Sequence, residues 1–167
     1  MGVEEHKKHA LKSINCAVIT VSTTRTKEND GSGKTIISLL EGNGHTVLYY
    51  EVIPDDISLI SQSLEHTIEK EGVQAIILNG GTGIGKSDVT IEALKPFLEK
   101  ELVGFGELFR HLSYKEVDSP AILSRAIAGV SKGKIIFCLP GSTNACRLAM
   151  EKLILPELGH IVYEISK

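Results

Sequence analysis

Four nearly unbroken apolar runs punctuate the chain, and each empties into a polar turn. Ile14 to Val21 ends in Ser22-Thr23-Thr24-Arg25, and Thr46 to Ile53 ends in Pro54-Asp55-Asp56. Ala75 to Leu78 leads into Asn79 and a glycine-rich loop, and Lys134 to Leu139 runs into Pro140-Gly141-Ser142-Thr143-Asn144. Runs of that kind predict strands buried on both faces. Between them the apolar positions recur at helical spacing. Ile36, Ile37, Leu39 and Leu40 predict a helix from about Lys34, stopped by Gly42-Asn43-Gly44. Ile57, Ile60, Leu64 and Ile68 predict another that lasts until Gly72, and Thr90 to Leu98 a third, capped by Thr90 and kinked or restarted at Pro96. Phe105, Leu108, Phe109 and Leu112 place a helix over Gly104 to Tyr114. Ser119-Pro120 opens the next, running through Leu123 and Ile127 to about Gly129. Further helices are expected from about Ala145 and after Pro156.

Alternating buried strands and helices predict an α/β fold, a three-layer αβα sandwich with a mostly parallel sheet. Met1 to Ser13 reads as a flexible charged lead-in, and Ile14 to Lys167 as a single domain. In such folds ligands bind beyond the carboxyl ends of the strands. Here those ends are Ser22 to Arg25, Pro54 to Asp56, Asn79 to Asp88 and Pro140 to Asn144, all rich in glycine, hydroxyls or carboxylates.

Composition narrows the function by exclusion. The net charge is −3 and the basic residues are scattered, so nothing points to nucleic acid or to acidic membranes. No apolar run approaches the ~20 residues that span a bilayer, and the start of the chain lacks a signal-peptide core, so a cytoplasmic location is expected. Cys16, Cys138 and Cys146 form no CxxC pair, and the six histidines show no metal-ligand spacing. The cysteines read as buried and inert.

The chemistry concentrates in Asn79-Gly80-Gly81-Thr82-Gly83-Ile84-Gly85-Lys86-Ser87-Asp88. Glycines there let backbone N–H groups approach an anion ahead of a helix N-terminus, so a phosphorylated small molecule is the expected ligand. Gly80 to Ser87 also satisfies the P-loop pattern G-x-x-x-x-G-K-[ST]. Its context counts against a P-loop NTPase. Two strand–helix units come earlier, the helix after the loop is expected at Thr90 rather than at Lys86, and no later strand ends in a metal-binding aspartate.

The loop sequence Asn79-Gly80-Gly81-Thr82-Gly83 followed by Asp88-Val89-Thr90 resembles the GGTG…DVT signature of the molybdopterin-binding MoaB/MogA family, which includes the G domain of gephyrin. The resemblance extends in order through Asp30-Gly31-Ser32-Gly33, Val52-Ile53-Pro54-Asp55-Asp56, Gly104-Phe105-Gly106-Glu107 with Arg110, Ile122-Leu123-Ser124-Arg125 and Leu139-Pro140-Gly141-Ser142. It covers nearly the whole chain from Ile14 onward. It implies the molybdopterin-binding fold and an adenylyltransferase that joins AMP from Mg-ATP to the molybdopterin phosphate, releasing pyrophosphate. It further implies a homotrimer or hexamer and a downstream metal-insertion protein as partner.

By position in the family, Asp55 and Asp88 are the two catalytic aspartates and the expected Mg2+ ligands. Gly80, Gly81, Thr82 and Gly83 would bind phosphate through backbone N–H groups and the threonine hydroxyl, with Gly141 and Ser142 as a second anion site. Ser22 and Asp30 would touch nucleotide or pterin. Structural alternatives stay open for each. Asp55 and Asp88 could be helix caps, the Gly141-Ser142 turn a plain connection, and Glu107, Arg110 and Arg125 members of surface ion pairs.

Two positions depart from the family pattern. Many relatives place an arginine before the loop aspartate, where this chain has Ser87 with Lys86 one place earlier. The first strand usually ends in Ser-Asp-Arg, and here it ends in Ser22-Thr23-Thr24-Arg25. An enzyme and a non-catalytic molybdopterin carrier on the same scaffold therefore both remain open.

Overall fold

A computed structural model describes residues 8–167. Most of the expected lead-in, residues 1–7, lies outside the described residues. The part that is described runs along the last helix: the Leu11 N–H donates to the Gly159 carbonyl at 3.2 Å, and His9 stacks on Tyr163.

Six strands form one sheet in the order β2-β1-β3-β6-β5-β4. They are β1 (Asn15–Val21), β2 (Thr46–Ile53), β3 (Ala75–Asn79), β4 (Lys100–Glu101), β5 (Ile127–Ser131) and β6 (Lys134–Leu139). The four strands anticipated from apolar runs pair in parallel, and β5 and β4 complete the sheet in antiparallel register. Alternate residues point to opposite faces, so both faces of the central strands are apolar. On one face Cys16, Val18, Ile77 and Phe137 pack beneath α1 (Gly31–Gly42), α4 (Val103–Val117), α5 (Thr143–Ala149) and α6 (Leu155–Ser166). On the other, Ala17, Ile19, Ile76, Leu78 and Ile136 pack against α2 (Ile57–Glu69) and α3 (Thr90–Leu94). The result is the expected αβα sandwich.

Three local expectations need correction. First, α1 begins at Gly31 rather than Lys34, because Asp30 accepts the Gly33 N–H at 3.0 Å and caps the helix there. Second, Thr90 is the first residue of α3 rather than its cap; its buried hydroxyl donates to the Gly80 carbonyl at 2.8 Å. Third, the helix expected from Ser119 to Gly129 exists only as a 3-10 turn over Ser119–Leu123, and Ile127–Ser131 is strand β5. Ser119-Pro120 does start a helical turn. Beyond it, Ile127 to Val130 pairs with β6 through a two-residue hairpin whose Lys132 and Gly133 both take positive φ, the backbone twist such hairpins require. Gly129 is where β4 crosses: a Cβ there would lie 2.5 Å from the Lys100 carbonyl oxygen.

The cysteines are buried as expected, and burial pushes the Cys16 and Cys146 thiols up to about 12 and raises Cys138 as well. No helix among the described residues is long and apolar enough to cross a membrane.

Candidate functional site

The four parallel strands all end at one edge of the sheet, and their turns are stitched together there. Asn79, the last residue of β3, is fully buried. Its side chain donates to the Thr20 hydroxyl on β1 at 2.9 Å and accepts from the Ser32 hydroxyl on α1 at 2.6 Å. The Arg25 guanidinium reaches Ser32 at 2.7 Å and the Gly141 carbonyl at 3.1 Å, tying the first strand-end loop to the last. Asp30 sits within this network and is fully buried, accepting from Gly33 and from the Tyr50 hydroxyl at 2.6 Å. Burial, the largest single influence, works to raise its pKa. Hydrogen bonds from Thr20, Tyr50, Gly33 and Ser32 together outweigh burial and hold the carboxyl below the usual aspartate range. Tyr50 is correspondingly pushed up, by burial and by its bond to Asp30.

The glycine loop springs from this platform. Gly80 takes φ +96° and packs so closely on β1 that a Cβ would lie 2.2 Å from the Val21 carbonyl oxygen. Its N–H donates to the Leu139 carbonyl, so Gly80 supplies close approach rather than the free N–H expected of it. Gly81 is next, with φ +64°. The N–H groups of Gly81, Thr82, Gly83 and Ile84 donate to no protein acceptor among the described residues. Gly83 and Gly85 wrap the Asp88 carboxylate, whose Oδ2 accepts the Gly85 N–H at 2.9 Å; a Cβ on either glycine would fall within 3 Å of that oxygen.

The two predicted aspartates flank the loop, and neither caps a helix. Asp56 caps α2, while Asp55 accepts both the N–H and the hydroxyl of Thr23 on Oδ2, each at 2.9 Å. Its Oδ1 lies 3.0 Å from where a Gly81 Cβ would stand. Oδ1 of Asp55 and Oδ1 of Asp88 receive no hydrogen bond among the described residues. Two half-buried carboxylates with a free oxygen each suit a magnesium ion that takes its remaining ligands from phosphates and water. An all-protein cage of three or more His, Cys, Asp or Glu side chains does not occur among the described residues.

Beside the loop opens a cleft of about 620 Å³. Gly81, Thr82, Gly83 and Asp88 form one side, with Gly141 and Ser142 adjoining. The Ser142 hydroxyl accepts the Ala145 N–H and caps α5. Phe109, Pro120, Leu123 and Leu148 supply apolar lining to the same cleft. Ser22 stands apart from this cleft; its hydroxyl accepts from the Thr24 and Arg25 N–H groups and shapes the first loop. Lys86 and Ser87 are exposed in a turn ahead of the helix, which starts at Thr90 and not at the Gly-Lys-Ser. A P-loop geometry is thus absent among the described residues.

The sequence assigns no role to Thr23, Asn79 or Tyr50, and for Arg125 it leaves a surface ion pair open beside its place in the family segment Ile122 to Arg125. The Arg125 Nε donates to the Thr82 and Gly83 carbonyls at 3.2 and 2.9 Å, and Nη2 to the Asp88 carbonyl at 3.2 Å. Both terminal nitrogens also meet the Glu92 carboxylate, the bond that does most to raise the Arg125 pKa. A polar residue closing an apolar run was the available signal for Asn79. For Arg125 the signal is its place in the family segment Ile122 to Arg125; its contacts with the loop stay hidden while that neighbourhood reads as helix.

Comparison with known proteins bears on this edge of the sheet. Residues 17–160 match a family described as "Probable molybdopterin binding domain". The chain is 52% identical over 168 residues to "Molybdenum cofactor biosynthesis protein B" of Bacillus anthracis, covering 100% of this chain and 99% of that protein. A crystal structure of a molybdenum cofactor biosynthesis protein B superposes with a TM-score of 0.90 at 52% identity, covering 93% of this chain and 97% of that one. The tungsten cofactor synthesizing protein MoaB from Pyrococcus furiosus superposes with a TM-score of 0.86 at 39% identity, covering 95% and 100%.

Proposed function

The chain belongs to the molybdopterin-binding domain family of molybdenum cofactor biosynthesis proteins, and on that premise we propose that it is a molybdopterin adenylyltransferase. One observation carries the reading: a row of unpartnered loop N–H groups stands between two half-buried aspartates, beside a cleft with apolar lining. The phosphate of molybdopterin and the phosphates of ATP suit the N–H groups of Gly81, Thr82 and Gly83. The flat pterin suits the apolar lining from Phe109, Leu123 and Leu148.

A phosphate oxygen of molybdopterin attacks the α-phosphorus of ATP. A new P–O bond forms as the bond from the α-phosphorus to the bridging oxygen of the β-phosphate breaks, and pyrophosphate leaves with that electron pair. Both reactants are anionic, so catalysis reduces to holding them in line and offsetting charge. Loop N–H groups do the first, fixed by the Gly80 contact to β1 and the Thr90 hydroxyl on the Gly80 carbonyl. When bound, Mg2+ would be held by Asp55 and Asp88 and would neutralise charge on the triphosphate.

The same reading makes the protein a cytoplasmic homotrimer or hexamer that hands its product to a metal-insertion protein. Exposed Leu102, Val103 and Leu108 around the start of α4 support assembly through that face.

Pyrophosphate release from Mg-ATP, measured with and without molybdopterin, tests the reading. Release that requires molybdopterin and falls by about a hundredfold or more in Asp88→Asn is the expected result. Tight molybdopterin binding with no turnover would make the protein a carrier and refute the enzyme.

A further inference from the structure

Arg125 does not line the cleft, yet its guanidinium collects three carbonyls of the loop that does: Thr82, Gly83 and Asp88. In a planar trans peptide the C=O and the N–H of the next residue point in opposite directions. Drawing the Thr82 and Gly83 carbonyls onto one guanidinium therefore turns the Gly83 and Ile84 N–H groups together to the other side. Those two N–H groups have no protein acceptor among the described residues. Successive N–H groups aimed the same way make an anion-binding nest. The third bond, to Asp88, fixes the backbone of the residue whose carboxylate the loop encloses.

Glu92, on the first turn of α3, holds the two terminal nitrogens and so fixes the plane of the guanidinium. A fork of donors in one plane can hold carbonyls from two separate stretches of chain, whereas a lysine ammonium is a single point on a flexible stem. Arg125 thus also brings a positive charge behind the nest without occupying the ligand's place.

We propose that Arg125 is a positioning residue that aims the N–H groups of the glycine loop at a bound phosphate, with Glu92 setting its orientation. The proposal rests on the reading of the loop as a phosphate site and adds to it the device that shapes that site. It assigns the loop geometry to a residue that reaches this edge of the sheet just ahead of the antiparallel strand β5.

The test is amide 15N–1H spectroscopy of the deuterated full chain titrated with molybdopterin, for wild type, Arg125→Lys and Glu92→Gln, with melting temperatures recorded alongside. In wild type the Gly83 and Ile84 amide protons move downfield on saturation. Arg125→Lys keeps the charge, melts close to wild type, binds molybdopterin about tenfold or more weakly and loses those two shifts. Glu92→Gln weakens binding by about threefold, and free guanidinium restores part of the affinity of Arg125→Ala. Arg125→Lys that binds and shifts like wild type overturns the proposal, as does an affinity loss that only tracks a fall in melting temperature. Wild-type binding without movement of these amides overturns it too while leaving the phosphate reading intact. Absence of any wild-type binding sinks both.

Discussion

Strands β2, β1, β3 and β6 bring their carboxyl ends to one edge of the sheet, and the polar residues just beyond each strand build the site: Ser22 to Arg25, Asp55, the glycine loop, and Gly141 with Ser142. Strand β5 runs the other way, its first residue Ile127 pairing with Cys138 near the end of β6. It therefore delivers to the same edge the residues that precede it, Ser124 and Arg125. A parallel strand contributes the residues after it and an antiparallel strand the residues before it. Both kinds meet at the cleft: Gly81, Thr82, Gly83, Gly141 and Ser142 line it from the parallel half and Ser124 from the antiparallel half, while Arg125 holds the carbonyls of the glycine loop.

Substitutions in each half separate the two contributions. The largest stability effect is expected from Gly80→Ala in the parallel half. Its φ of +96° and the 2.2 Å approach to the Val21 oxygen leave no room for a methyl group, so the variant should lose about 2–4 kcal/mol in denaturant unfolding. Molybdopterin affinity should fall with it, because the loop leaves the sheet at that residue.

Gly129→Ala makes the matching test in the antiparallel half. A Cβ there would meet the Lys100 carbonyl at 2.5 Å, and a loss of about 1–3 kcal/mol is expected as β4 is pushed off. Molybdopterin affinity, measured by titration calorimetry, should change by less than about threefold, since β4 carries no site residue. A collapse of affinity equal to that of Gly80→Ala would erase the distinction between the halves.

A smaller effect belongs to Tyr50→Phe, which removes one of the donors to Asp30 and should cost about 1 kcal/mol at neutral pH. The sign with pH is set by the Asp30 carboxyl being held below its ordinary value. Its stabilising contribution is fully present above the unfolded pKa of about 3.9 and disappears as pH falls through the depressed folded value. Loss of the tyrosine hydroxyl returns that value part of the way up, so the acid unfolding midpoint should move to higher pH. Circular dichroism across an acid titration reads this directly. The smallest effect is expected from Lys86→Ala: the side chain is exposed, and both melting temperature and pyrophosphate release should stay within error of wild type. A large loss of turnover there would restore the P-loop reading.

The legible part of this structure was the part written locally. Each parallel strand is a short apolar run, and the turn at its end names its own polar residues, so the four strand ends and both flanking aspartates could be placed from sequence. The antiparallel edge was not legible. Ser119-Pro120 opens a helical turn in fact as well as in pattern, but the stretch beyond it is decided by pairing with β6 and by the Lys132-Gly133 hairpin, contacts that a helical pattern does not register. Arg125 fell within that misread stretch. Asp30 was legible as a residue of the first loop, but its burial under Tyr50, which is twenty residues away on β2, depends on how α1 packs against the sheet.

The most direct test of the central claim is transfer of label from ATP carrying radioactive phosphorus at the α position, incubated with Mg2+, molybdopterin and the wild-type protein. The account predicts that label moves to the molybdopterin fraction in step with the pyrophosphate released. Pyrophosphate release with all label recovered as free AMP, or no release while molybdopterin stays bound, would contradict it.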